Sequence, residues 1–195
     1  MMDTQYIIKQ YYKQGTKLYD IFMDHAECVA KKSVEIASNI SHLNLEKPIN
    51  IEFIFDAAML HDIGIFLTDS PSIYCMGKYP YVCHGFLGRE LLDTIGFSSH
   101  GLVCERHTGA GITAENIKVN NLPLPCRDML PVTIEEEIIC FADKFYSKKP
   151  KWAGVEKSLE HIVKEMEKLD KISNSKENLQ SERFAGWIKK FVVQQ

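Results

Sequence analysis

Residues Ala58-Met59-Leu60-His61-Asp62-Ile63-Gly64-Ile65 set an imidazole and a carboxylate side by side inside an apolar run. The run reads as a buried helix, with Gly64 able to end it. Burying such groups without partners costs about 2–7 kcal/mol for a neutral group and more for a charge. Something must therefore compensate them. A divalent metal is the strongest candidate, because imidazole and carboxylate both ligate it and its charge keeps the aspartate ionised. Four more polar residues, His25, His84, His107 and Asp143, fall where helical patterns predict core or near-core positions. Any one histidine on an apolar face is more readily a hydrogen-bonded structural residue. The metal reading rests on all six residues together. His42, His100 and His161 lie outside the pattern and read as surface or capping residues, although His100 stands two helical turns before His107 and could face the same pocket.

The elements that must position these residues are helices. Asp3 caps an amphipathic helix through Ile7, Ile8, Tyr11 and Tyr12, with Gly15 as its stop. Residues 16–23 read as a short helical linker, and Asp24 as the cap of a second helix that carries His25 in its first turn and runs to about Ser41. After a polar loop over 42–50, Asn50 caps the helix that ends in His61-Asp62. Residues 66–83, with Pro71, Gly77, Pro80 and several tyrosines, read as a lid or substrate loop. Helical order returns at His84 and stops at Gly96; Ser98 or Ser99 caps the next helix, which ends at His107-Thr108-Gly109-Ala110-Gly111. A short helix follows Thr113, and Thr133 with Glu136 forms a capping box for the apolar helix that bears Asp143. Two amphipathic helices, separated by the polar stretch 171–181, complete the chain. No strand pair or repeat is predicted. The fold class expected is all-α, a compact multi-helix bundle.

The chain has 195 residues, 45% hydrophobic and 25% charged, which suits one soluble domain with a substantial core. The expected organisation is one domain over 1–195, with a metal-site core at about 20–148 and helices over 152–195 completing the bundle or forming a homodimer face. A net charge of −3 with interspersed signs argues against long nucleic acid as a partner and leaves room for a small anionic ligand. No signal peptide or membrane span is predicted, so a cytoplasmic protein with no membrane partner is expected. Six scattered cysteines without a C-x-x-C pair read as reduced core residues.

The order His25, His61-Asp62, His84, His107, Asp143 resembles the HD-domain metal-dependent phosphohydrolase superfamily, with Leu60-His61-Asp62-Ile63-Gly64 at its centre and Phe141-Ala142-Asp143-Lys144 at its end. The resemblance covers about residues 20–148. Residues 106–113, Leu122-Pro123 and Glu135-Glu136-Glu137-Ile138 look like a group of uncharacterised single-domain HD proteins, and the layout is similar to di-iron HD hydrolases of dinucleoside polyphosphates. The resemblance implies an HD-type bundle in which His25, His61, Asp62 and Asp143 ligate a core metal. His84 and His107 match the extra histidines of binuclear members, with Asp62 bridging the ions. It further implies one or two divalent ions as cofactors (iron favoured, with manganese, magnesium, nickel or zinc as alternatives) and a metal-activated hydroxide attacking phosphorus. Asp62 and Lys144 would be catalytic, and Lys144, Arg89, Arg106 and Lys78 would bind a small phosphorylated substrate, nucleotides favoured. Many members place Lys or Arg after His-Asp-Ile-Gly. Ile65 stands there in this chain, and Lys78 or Lys144 is the expected substitute. The rival expectations are an HD-fold di-iron oxygenase and a catalytically weak nucleotide-binding regulatory protein.

Overall fold

The computed structural model describes residues 3–40, 47–173 and 179–192. Asp3 accepts a hydrogen bond from Tyr6 N and opens α1 (Thr4–Tyr11). Gly15 then takes a positive φ in the turn before α2 (Lys17–Ile40), a single helix of 24 residues. The expected linker over 16–23 is thus part of α2, and Asp24 lies inside the helix rather than at its cap. Thr16 takes the capping position: its Oγ1 accepts from Tyr19 N at 3.3 Å. The reason is an unbroken apolar face that continues upstream through Ile21 and Phe22, both buried.

Asn50 caps α3 (Ile51–Leu60) as expected, accepting from Phe53 N at 3.0 Å. His61 and Asp62 follow in the helical turn that closes α3. Residues 65–83 contain three short 3-10 turns and a two-residue hairpin, β1 (Asp69–Ser70) antiparallel to β2 (Cys75–Met76). The expectation of no strand pair is corrected by this hairpin, which is too short to show a period-two pattern in the sequence. Then come α4 (His84–Thr94) and α5 (Ser98–Arg106). Ser98 is the first residue of α5 and neither serine caps it; Phe97 occupies that position without a side-chain bond. α6 (Ala114–Val119) and α7 (Ile134–Asp143) both start with full capping boxes, Thr113 with Asn116 and Thr133 with Glu136. α8 (Leu159–Ser173) and α9 (Gln180–Phe191) end the described chain.

The architecture is an all-α bundle. α2 packs along α3 and α7, α4 pairs with α5, and α8 pairs with α9. One apolar cluster runs from Ile7 on α1 through Leu60 and Phe141 to Phe191 on α9. The aromatic rings of Phe141 and Phe184 sit 5.0 Å apart at its C-terminal end. All six cysteines are free, four of them buried, as expected for small core residues. Among the described residues no helix is long and apolar enough to cross a membrane.

Candidate functional site

Five of the six polar residues are delivered to one place by helix ends, and His25 by the interior of α2. His25 comes from α2, His61 and Asp62 from the turn after α3, His84 from the first residue of α4, His107 from the end of α5, and Asp143 from the end of α7. All six are buried, with exposures of 0–7%. Three of the imidazoles are oriented in the same way. Nδ1 of His61, His84 and His107 lies 2.6–2.7 Å from the carbonyl of the residue three positions earlier (Ala58, Tyr81 and Cys104). An Nδ1–H donating to that carbonyl leaves each Nε2 aimed into the centre.

Glycines make this convergence fit. A Cβ on Gly64 would lie 2.3 Å from the His84 carbonyl oxygen and 2.5 Å from Gly88 N. Gly64 therefore matters as a contact point for α4, bringing His84 up to His61-Asp62, more than as a helix stop. Tyr12 OH donates to the Ile63 carbonyl at 2.9 Å and steadies the same turn.

Asp62 lies between two sub-clusters. Its Oδ2 is 3.3 Å from His25 Nε2 and 3.2 Å from His61 Nε2, while its Oδ1 is 3.4 Å from His84 Nε2 and 3.3 Å from His107 Nε2. Asp143 completes the first group, with Oδ1 2.9 Å from His25 Nε2 and 3.4 Å from His61 Nε2. The second group is closed by His84 and His107, whose Nε2 atoms are 3.1 Å apart. Two donor sets result, His25/His61/Asp62/Asp143 and Asp62/His84/His107, each with its ligand atoms within 4.8 Å of one another.

Lysine ammonium groups face the carboxylates. Lys144 Nζ donates to Asp143 Oδ2 at 2.5 Å and to the His107 carbonyl at 3.1 Å. Lys148 Nζ lies 2.7 Å from Asp62 Oδ2 and 3.7 Å from Asp143 Oδ1. Its contact with Asp62 has an ion pair's distance without hydrogen-bond angles. Both Asp62 oxygens, like His25 Nδ1, are therefore buried without a hydrogen-bond partner among the described residues. Burial favours the neutral acids, but Lys148 and His61 hold Asp62 well below the ordinary carboxylate range, and Lys144 and Lys148 do the same for Asp143. Burial also opposes charge on His61, yet Asp62 and Asp143 carry it up to about 9. His84 is pushed down to about 3 by burial, and burial lowers His107. One half of the site is thus an ionic network and the other a pair of neutral imidazoles.

Lys148 was not among the residues singled out from the sequence. The signal was available in the lysine pair Lys148-Lys149 one turn beyond Asp143-Lys144, but that run reads as solvated surface. The remaining cations do not reach the centre. Arg89 is tied to Glu105 and Asp93, and Arg106 to Glu136 at 2.8 Å. Glu105 and Glu136 are themselves buried, so these arginines are committed as their counter-charges. Lys78 is exposed two residues beyond β2, and Ile65 is fully buried in the core. His100 packs between Phe53 and Phe97, away from the six residues, and His161 lies 3.4 Å from Glu165 on α8. His42 lies outside the described residues.

No family model and no solved structure matches the chain. It is 34% identical over 122 residues to an uncharacterised protein of Methanocaldococcus jannaschii, covering 62% of this chain and 63% of that one. It is also similar to two proteins named tRNA (cytidine(56)-2'-O)-methyltransferase. The one from Picrophilus torridus is 33% identical over 129 residues, and the one from Thermoplasma volcanium 28% over 146. These matches take in 66% and 74% of this chain but 32% and 37% of the relatives, so the chain spans about a third of either methyltransferase.

The relatives' names correct four expectations. They denote methyl transfer to a ribose hydroxyl, where a carbon group moves to oxygen, and not attack of hydroxide at phosphorus. The relatives' names thus overturn the expectation of an iron-dependent phosphohydrolase. They also overturn divalent ions, one or two per chain, as cofactors. The small phosphorylated substrate goes with them. The exclusion of long nucleic acid also falls, because the two named relatives act on tRNA; a net charge averages over the whole surface and conceals a local basic face.

Proposed function

We propose that the chain serves tRNA 2'-O-methylation as a helical module working beside the unit that transfers the methyl group. The observation that carries this is the likeness to two proteins named for that reaction, each joining a region similar to this chain to about twice its length of further sequence. Joining two modules in one chain raises their effective concentration and favours partners that act on the same molecule. The test is to delete the gene in the source organism and measure 2'-O-methylcytidine in purified tRNA by mass spectrometry, alongside binding of tRNA by the purified chain. A loss of the modified nucleoside together with tRNA binding is the expected result. Unchanged modification and no binding would remove the chain from this process.

The ligand set is a separate part of the reading. His25, His61, Asp62 and Asp143, with His84 and His107, are proposed as ligands that hold a positive centre and join α2 to the ends of α3, α4, α5 and α7. The resemblance to the HD superfamily rests on these residues and concerns the scaffold, not the reaction. Support comes from the two buried Asp62 oxygens, which have no hydrogen-bond partner among the described residues, and from the mixed nitrogen and oxygen donors of the two sets. A bound cation would supply the charge that Lys148 otherwise brings to Asp62. Elemental analysis of the parent and of Asp62→Asn tests it: bound metal in the parent and none in the variant is expected, and equal content in both would reject the ligand assignment.

A further inference from the structure

The segment after α7 is chemically unlike the rest of the chain. Residues 144–157 carry five lysines and one acid, Glu156, in a protein whose net charge is −3. Two of the lysines, Lys144 and Lys148, turn inward to the buried carboxylates. Lys157 pairs with Glu165 at 2.8 Å. Lys149 and Lys151 are exposed, and among the described residues neither ammonium is within ion-pair distance of an acid. The acid of the segment is already engaged, since Glu156 binds Lys32 at 2.9 Å and the Tyr146 hydroxyl at 3.1 Å.

Between these lysines the chain presents Trp152. It is half exposed, at 50%, and Lys151 Nζ lies 5.3 Å over its ring. Pro150 opens the 3-10 turn that carries it, and Gly154 leaves the turn with a φ of +69°. Trp152, Lys149 and His161 line a cavity of about 440 Å³, large enough for a nucleobase, together with Glu156 and Glu165, whose charges are matched by Lys32 and Lys157. Exposing an indole costs hydrophobic free energy unless something covers it, and Lys149 and Lys151 beside it, unpaired among the described residues, favour an anionic partner with flat rings.

We propose that the segment 147–157 is an RNA contact: Lys149 and Lys151 neutralise backbone phosphates, and an unpaired base enters the cavity and stacks on Trp152. This rests on the tRNA reading for its choice of nucleic acid and deepens it by naming the surface. Stacking needs only a π face, so the contact tolerates any base, and two lysines add a salt-dependent term.

The chain has two tryptophans, and the other, Trp187, is 5% exposed, so a quencher in solution reads Trp152. The probe is a single-stranded oligocytidylate of about 12 nucleotides, titrated against the full chain while tryptophan emission is followed. Quenching in the parent and none in Trp152→Phe is expected, with Trp152→Ala weakening binding about 5- to 100-fold. Lys149→Ala with Lys151→Ala should lower the slope of log affinity against log salt by about 1.4. An unquenched Trp152, or equal quenching by polyglutamate, overturns the assignment, the latter in favour of an acidic protein partner. The two readings separate cleanly. RNA quenching of Trp152 with unchanged tRNA methylation leaves the contact and rejects the tRNA role. Methylation that depends on the chain, with Trp152 silent, does the reverse.

Discussion

Four lysines fall within eight residues after α7, and the structure divides them into two kinds. The side chains of Lys144 and Lys148 are 9% and 14% exposed and are held by Asp143 and Asp62. Lys149 and Lys151 are exposed and face solvent beside Trp152. The difference is burial, not residue type. An ammonium in a dehydrated carboxylate cluster interacts strongly and in a fixed geometry, whereas the same group at the surface is screened and free to take a passing phosphate. A stretch that reads as one basic run is therefore two devices, an internal counter-charge and an external landing surface.

Removing the anion of the buried device has the largest expected effect. Asp62→Ala strands His61 and Lys148 without their shared partner, and unfolding in urea should show a loss of about 3–5 kcal/mol. Gly64→Ala attacks the same centre through the backbone. Its Cβ would collide with the His84 carbonyl, and a loss of about 1–3 kcal/mol is expected, with α4 displaced from the His61-Asp62 turn. A loss no greater than that of an ordinary surface substitution would show that the close approach is not needed.

Lys148→Met tests the internal counter-charge itself. Asp62 and Asp143 have depressed folded values, so their contribution to stability is present above the unfolded value of 3.8 and is lost as pH falls through the folded ones. The variant should be about 1–3 kcal/mol less stable at neutral pH. The gap from the parent should close as the pH is taken below 4, followed by thermal unfolding at each pH; a gap independent of pH would mean that Lys148 acts by packing alone. The smallest effect on stability belongs to the external device. Lys149→Ala with Lys151→Ala should stay within about 0.5 kcal/mol of the parent and show itself only in RNA binding. A larger change would place these lysines in the fold and erase the distinction.

The six polar residues were legible because a buried histidine or aspartate on an apolar helix face is costly and therefore informative. The capping boxes at Thr113 and Thr133 and the cap at Asn50 were equally legible, since they are local contacts within four residues. Thr16 is hidden as a cap because Asp24-His25-Ala26-Glu27 mimics a helix start, and only the packing of Ile21 and Phe22 shows that the helix is already under way. Arg89 and Arg106 read as free cations in the sequence, since Glu105 and Glu136, the buried acids that hold them, lie 16 and 30 residues away. Nothing local marks such pairs. Lys148 is the plainest example, since its partner Asp62 is on a different helix end.

By itself the amino-acid sequence determined that the chain is helical, where most helices begin, and which polar residues had to be compensated in the interior. These follow from periodicity, capping and the cost of burying charge, all of which act over a few residues. The tertiary structure alone decided that Asp62 lies between two histidine groups, that glycine at 64 lets α4 approach, and which lysines turn inward. Those outcomes depend on where separate helix ends meet, and the distances between groups far apart in the chain are set by the packing of the whole bundle.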